Sequence, residues 1–177
     1  MGLSDFKFER LSATSDLNGF NCGDEDLNDF LVSDAINYQT ELLAVSYLLV
    51  NSDSGLSAFF SVSNDALKDQ DFEKWNKVSR KIPNRKRRKD YPAVKIVRLG
   101  VDISLRGKGI GSEIVFFLKN WFTTENKTGC RFLLVDAYNR PEILSFYERN
   151  DFSYLTESDE NKKTRLMYFD LTRMFAN

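Results

Sequence analysis

Histidine is absent from the 177 residues of this chain, and its absence excludes several kinds of chemistry. Ser-His-Asp and Cys-His mechanisms need an imidazole as proton acceptor, and most zinc sites use at least one imidazole nitrogen. Carboxylates, tyrosine, arginine and backbone dipoles remain available. We therefore expect no metal in the functional site, and we expect any reaction to depend on these remaining groups.

Cysteine is scarce as well. The chain contains two cysteines, Cys22 and Cys130, and their separation matches no metal-binding or redox spacing. We expect both to be reduced thiols, as is usual for proteins of the cytosol.

Long apolar runs are also missing. No stretch approaches 18 uninterrupted apolar residues, so no membrane span is expected. The first residues, "MGLSDFKFER", are charged and lack an apolar core, so we expect no signal peptide. The net charge of −1 gives no overall signal for binding a polyanion. Together these features predict a cytoplasmic protein.

The length predicts one domain, residues 1–177, with a hydrophobic core. Periodicity and turn residues predict the order β-α-β-β-(α)-β-α-β-α-β-β, a mixed α/β arrangement. The predicted strands are 6–11, 42–50, 55–63, 93–101 and 131–137, followed by two strands at the end of the chain. The predicted helices are 25–39, capped by Asp24 or Gly23, a weak helix at 65–79, one from 112 to 122, and one that starts at Pro141.

The segment "RGKGIG" (106–111) places three glycines between a predicted strand and a predicted helix. A strand, a glycine-rich turn and a helix together direct unpaired backbone N–H groups toward an anion. Glycine permits unusual backbone conformations and removes the Cβ atom that would block a ligand. The segment therefore predicts a site for a phosphate group.

Three nucleotide-binding patterns are candidates for this segment. The Walker A spacing, G-x-x-x-x-G-K-[ST], does not occur in it. The dinucleotide pattern G-x-G-x-x-G misses its third glycine by one position. The pattern R-x-x-G-x-G fits, with Arg106, Gly109 and Gly111.

With its flanking strand and helix, "LGVDISLRGKGIGSEI" resembles motif A of the GCN5-related N-acetyltransferase (GNAT) family. The later "FLLVDAYNRPEILSFYERNDF" resembles motif B of that family. The resemblance covers about residues 93–171, with both motifs in 93–155. It implies an α/β, single-domain GNAT-like fold with a mixed central sheet of about six to seven strands flanked by helices. It also implies acetyl-CoA as cosubstrate and transfer of the acetyl group to a primary amine by direct attack in a ternary complex.

The same resemblance implies roles for individual residues. Backbone groups of Leu99 and Val101 would pair with the pantetheine arm and the thioester carbonyl. Tyr147 would lie near the thioester sulfur, and its reference pKa of about 10 suits it to protonate the departing thiolate. The pyrophosphate would be held by the turn and the helix start, namely by Arg106, Gly107, Lys108, Gly109, Ile110, Gly111 and Ser112.

Two positions depart from the family pattern. Asn139, the implied pantetheine ligand, precedes Tyr147 by eight residues, whereas the family spacing is seven. The Gly-Phe pair that ends motif B is replaced by Asp151-Phe152. We expect Asn150 or Asp151 to adopt the left-handed conformation that stops the helix there.

The sequence does not decide which residue accepts the proton of the amine or which residue orients the acceptor. Asp102 and Asp136 lie at predicted strand ends, where aspartates serve either as bases or, more often, as turn formers and caps. Arg98 shares a strand face with Asp102, where it either orients an acceptor or is paired or solvated.

The sequence also leaves three classes of acceptor for the acetyl group: a small molecule, a protein and an aminoacyl-tRNA. "FNCGDEDLNDFLVSDA" (20–35) is similar to the F-x-C-G-x-x-x-L-x-x-[FW]-L segment of toxin-type acetyltransferases. That similarity implies the α-amine of aminoacyl-tRNA as acceptor, a small antitoxin as partner, and a homodimer. The basic run 85–89 either contacts RNA phosphates or forms a solvated loop. A non-catalytic protein that binds acetyl-CoA or another protein is the third alternative.

Overall fold

The computed structural model describes residues 2–68, 90–126 and 129–175. In that part of the chain, seven strands form a mixed sheet in the order β1-β2-β3-β4-β5-β7-β6. The strands are β1 (Lys7–Arg10), β2 (Val45–Asn51), β3 (Gly55–Lys68), β4 (Asp90–Val101), β5 (Phe132–Tyr138), β6 (Ser153–Tyr154) and β7 (Thr164–Asp170).

The helices are α1 (Glu25–Asp29), α2 (Ala35–Thr40), α3 (Ile110–Thr123) and α4 (Pro141–Arg149). A π-helical turn, Phe30–Asp34, joins α1 to α2, and short 3-10 turns occupy Leu3–Asp5, Ile103–Leu105 and Leu171–Phe175. The order of strands and helices agrees with the predicted order over the described residues, and the α/β class with a mixed sheet is confirmed.

One predicted element, the weak helix at 65–79, is wrong at its start. It was expected to begin near Asp65, but β3 continues through Lys68. Leu67 is fully buried there and packs with Tyr91 and Phe132, so packing in the folded chain overrides the local helical pattern. The rest of that helix and the basic run 85–89 lie outside the described residues.

Two compact units can be distinguished, and the first comprises Met1–Ser63 and Ile96–Phe117. Asp24 caps α1 as predicted, since its side chain accepts from the amide of Leu27 at 3.2 Å. Gly100 is required in β4, because a Cβ atom there would lie 2.6 Å from the ring of Phe59. The core of this unit contains Leu11, Phe30, Leu31, Ala35, Leu48, Leu56 and Phe59.

The second unit comprises Asn64–Lys95 and Leu118–Asn177. Strands β5 and β7 pair antiparallel along their whole length, from Phe132 opposite Asp170 to Tyr138 opposite Thr164. The helix stop after α4 is left-handed, as predicted, with Asp151 at φ 62°. The core of this unit contains Leu67, Tyr91, Ala93, Phe132, Leu134 and Leu155.

Both cysteines are buried free thiols, as predicted. In the described residues we find no helix with the length and apolar character needed to span a membrane.

Candidate functional site

The glycine turn, residues 106–111, follows the Ile103–Leu105 turn and leads into α3. Gly107 and Gly109 have φ values of 76° and 84°, a left-handed conformation that L side chains rarely adopt. A Cβ atom built on either glycine would meet no atom of the described residues within 4 Å. The outer side of the turn is therefore open to a ligand.

The backbone amides of this turn divide into two groups. Arg106 and Lys108 donate to the carbonyl oxygens of Ile103 and Leu105, each at 3.3 Å. Four other amides have no hydrogen-bond acceptor within the described part of the chain: Gly107, Gly109, Ile110 and Gly111. These four, at the start of α3, are donors suited to an anion, and the helix dipole adds partial positive charge at the same place.

The side chain of Arg106 binds another segment of the protein. Its Nη2 atom donates to the carbonyl oxygen of Cys22 at 2.5 Å. Gly23, at φ 73°, leaves room for this contact, because a Cβ atom there would lie 2.8 Å from the same nitrogen. The sequence predicts no partner for the Arg106 side chain, although a glycine at position 23 permits a close approach.

Asp102 serves as a cap in the structure. Its carboxylate accepts from the amides of Asn21 (3.0 Å) and Ser104 (2.9 Å) and from the Ser104 hydroxyl (2.6 Å). Burial alone would raise the pKa of Asp102, but these hydrogen bonds outweigh it and lower the pKa below its usual value. A carboxylate held in this way is a weak proton acceptor.

Asp136 is engaged in an ion pair. Its carboxylate contacts Nζ of Lys95, which also lies 3.4 Å from Asp65. Burial alone would lower the pKa of Lys95, but the two carboxylates outweigh it and raise that pKa. Asp136 is therefore committed to a charge partner in its own unit.

Arg98 is also paired. Its guanidinium lies 4.8 Å from the centre of the Phe30 ring, and Nη2 is 3.9 Å from a carboxylate oxygen of Asp26. Of the two interpretations left open for Arg98, the structure supports the paired side chain.

The remaining predicted residues of the first unit lie on the strand before the glycine turn and on the helix after it. Leu99 and Val101 are half-buried near the end of β4, two residues apart, so their backbone groups face the same strand edge. Ser112 is exposed in the first turn of α3.

Tyr147 lies on α4 in the second unit and is 6% exposed. Its ring packs against Phe146 and Phe152, with centroid distances of 5.0 and 5.4 Å. Burial raises the pKa of Tyr147, so its hydroxyl remains protonated at neutral pH. Among the described residues, none forms a hydrogen bond with that hydroxyl.

Asn139 follows β5 in the same unit. Its Nδ2 atom donates to the carbonyl oxygens of Glu160 (2.7 Å) and Lys162 (2.9 Å). Both N–H donors of its side chain therefore hold the segment before β7, and only the amide oxygen is left to accept from a ligand.

No family model matches the sequence. Solved structures do match over nearly the whole chain. A tyrosine-to-phenylalanine mutant of KacT has a TM-score of 0.80 and 22% identity, covering 97% of this chain and 98% of that one. AtaT complexed with acetyl-methionyl-tRNAfMet has a TM-score of 0.80 and 24% identity, with the same coverage.

A third match is AtaTR bound with acetyl-CoA, with a TM-score of 0.78, 22% identity and 98% coverage of both chains. The chain has the GNAT fold. The predicted GNAT-like fold is thus confirmed, and the AtaT neighbours are described as toxins, the group that the N-terminal segment resembles. At sequence identities of 22–24%, these matches establish similarity of fold alone.

Proposed function

We propose that this chain is an acetyl-CoA-dependent N-acetyltransferase that moves an acetyl group to a primary amine by direct attack in a ternary complex. The observation that carries this proposal is the glycine turn: four amides at the start of α3 have no acceptor among the described residues, and the outer side of the turn is open. The neighbour bound with acetyl-CoA supports the choice of ligand.

The residues present fit a pyrophosphate. Its negative charge suits the unpaired amides of Gly107, Gly109 and Gly111 and the positive end of the α3 dipole. Backbone groups of Leu99 and Val101, which lie on one side of β4, would receive the pantetheine arm in the manner of an added strand. When bound, acetyl-CoA supplies the acetyl thioester, and the chain supplies the groups that orient it.

Tyr147 is the proposed proton donor. A transferase of this kind needs a proton for the departing thiolate. Like an ordinary tyrosine, Tyr147 is protonated throughout the neutral range, and since burial raises its pKa, it releases the proton only to a strong base such as a developing thiolate. No described residue competes for that hydroxyl through a hydrogen bond.

The proton that the amine nitrogen loses as the amide forms is proposed to go to water. Asp102 is fixed as a cap and Asp136 is paired with Lys95, so neither is suited to act as a base. An α-amine, with a reference pKa of about 7.7–8.0, is partly neutral at pH 7, whereas a lysine amine near 10.4 is almost fully charged. The arrangement therefore favours an α-amine as acceptor.

The finer proposal is that this α-amine belongs to an aminoacyl-tRNA. It is supported by the F-x-C-G segment, by the engagement of both candidate bases, and by the AtaT neighbour complexed with acetyl-methionyl-tRNAfMet. Neighbouring structures also include AtaT bound to the C-terminus of the antitoxin AtaR. We therefore include a small antitoxin partner in the proposal, and we include a homodimer only because the resemblance of residues 20–35 to toxin-type acetyltransferases implies one.

The transfer reaction can be tested by thiol release from acetyl-CoA with a panel of amines: aminoacyl-tRNA, free amino acids and a lysine-containing peptide. Release with at least one acceptor is expected, and Tyr147→Phe should lower kcat by about 100-fold. Tyr91→Phe is the matched control, because Tyr91 is a core tyrosine of the same unit that is 5% exposed. Binding of acetyl-CoA without turnover on any acceptor would support the non-catalytic alternative instead.

The phosphate site can be tested separately with Gly109→Ala. The control is Gly55→Ala, since Gly55 has a similar φ of 72° and, like Gly109, no atom from the described part of the chain within 4 Å of an added Cβ. Both variants should lose similar stability, but only Gly109→Ala should weaken CoA binding, by about tenfold or more in calorimetry. Equal CoA affinity in the two variants would show that the turn does not hold the pyrophosphate.

A further inference from the structure

Two segments far apart in the sequence meet beside the glycine turn. The amide of Ile103 donates to the carbonyl oxygen of Asn21 at 2.9 Å, and the amide of Asn21 donates to the Asp102 carboxylate at 3.0 Å. These reciprocal bonds hold the Ile103–Leu105 turn, which leads directly into residues 106–111.

Arg106 makes the third connection. Its guanidinium donates to the carbonyl oxygen of Cys22 at 2.5 Å. A Cβ atom on Gly23 would lie 2.8 Å from Nη2 of Arg106 and 3.0 Å from Cγ2 of Ile103. Only glycine allows the two segments to approach this closely without displacing Arg106.

The supporting segment is itself fixed. Asn28 accepts from the amide of Cys22 at 3.0 Å and donates to the side-chain oxygen of Asn21 at 2.9 Å. The same Asn21 oxygen accepts from the amide of Gly23 at 2.7 Å. Residues 21–23 are therefore bound to α1 and present a defined surface to Arg106.

We propose that residues Asn21, Cys22 and Gly23 form a positioning segment that sets the conformation of the glycine turn through Arg106, and thereby sets the affinity for the CoA pyrophosphate. The inference rests on the proposed function of the turn. It assigns the Arg106 side chain to the contact with Cys22, so that the backbone amides, rather than the guanidinium, face the phosphate. The F-N-C-G segment is thus a positioning element for the cosubstrate site.

Gly23→Ala tests the inference, with Gly19→Ala as matched control. The two glycines have φ values of 73° and 76°, but an added Cβ on Gly19 meets none of the described atoms within 4 Å. Gly23→Ala should weaken CoA binding at least tenfold and raise KM for acetyl-CoA while kcat at saturation is retained. Gly19→Ala should bind CoA within about twofold of the original protein. Equal CoA affinity for the two alanine variants would overturn the positioning role.

An Arg106→Met background separates positioning from a general structural effect. Arg106→Met alone should weaken CoA binding, because it removes the bond to Cys22, and adding Gly23→Ala should cause no further loss. A full additional loss in the double variant would show that Gly23 does not act through Arg106. If Gly23→Ala does not fold, Arg106→Met alone decides: unchanged CoA affinity in that variant rejects the inference.

The inference and the proposed function fail in different ways. If Gly109→Ala loses CoA affinity while Gly23→Ala keeps it, only the positioning role is wrong. If the original protein does not bind CoA, or Gly109→Ala binds as well as Gly55→Ala, the proposed function itself is wrong.

Discussion

Lys119 donates a hydrogen bond of 2.7 Å to the carbonyl oxygen of Asn150, at the end of the helix that carries Tyr147. The lysine is 5% exposed, its Nζ atom lies 3.9 Å from the centre of the Phe169 ring, and a carboxylate oxygen of Asp151 is 3.7 Å away. Burial lowers the pKa of Lys119, and the Asp151 carboxylate only partly opposes that effect. The buried ammonium group of Lys119 therefore stabilises the left-handed turn that ends α4.

Replacing Lys119 with methionine should destabilise the protein. The variant keeps most of the side-chain volume but leaves the Asn150 carbonyl without this donor, so we expect a loss of about 1–3 kcal/mol in the free energy of unfolding, measured in urea. Lys7→Met is the control, because Lys7 makes only a surface pair with Glu9 and should change stability by less than about 0.5 kcal/mol. Equal stability of both variants would contradict a supporting role for Lys119.

Leu42 is strained, and its replacement by glycine should stabilise the protein. It follows α2 with a φ of 58°, and its side chain is 89% exposed, so little packing offsets the strained backbone. Relief of that strain is expected to raise the free energy of unfolding by about 1 kcal/mol, measured by thermal or urea denaturation. Leu43→Gly is the matched control, because Leu43 is also exposed but has no positive φ, and it should lower stability. A loss of stability in both variants would count against strain at Leu42.

The local features of the site could be predicted from the sequence. The glycine turn, the Asp24 cap and the left-handed stop at Asp151 each depend on residue types within a few positions of one another. The contact between Arg106 and Cys22 joins residues 84 positions apart, so no local pattern specifies it. The end of β3 was missed for the same reason, since burial of Leu67 against Tyr91 and Phe132 decides it.

Stability should fall at alkaline pH because of Cys130. Burial raises the pKa of this thiol to about 11, from 9.0 for an exposed thiol. Between these values the unfolded chain loses the proton while the folded chain keeps it, so the free energy of unfolding decreases as pH rises, by roughly 3 kcal/mol in total. Urea titrations from pH 8 to 11 should show a shallower decrease for Cys130→Ala than for the original protein. Parallel curves for the two proteins would indicate that Cys130 does not contribute.

Reversing two charges in the basic run 85–89 tests whether this run binds RNA. If Arg87 and Arg88 bind phosphates, Arg87→Glu with Arg88→Glu should weaken tRNA binding and reduce its salt dependence by about one counterion for each phosphate that is no longer neutralised. Binding should be measured at several salt concentrations, with Lys7→Glu and Arg10→Glu together as a control of the same net charge. If only the first pair weakens binding, the basic run binds tRNA directly. Unchanged tRNA binding at low salt in the first pair would show that the basic run does not bind the RNA.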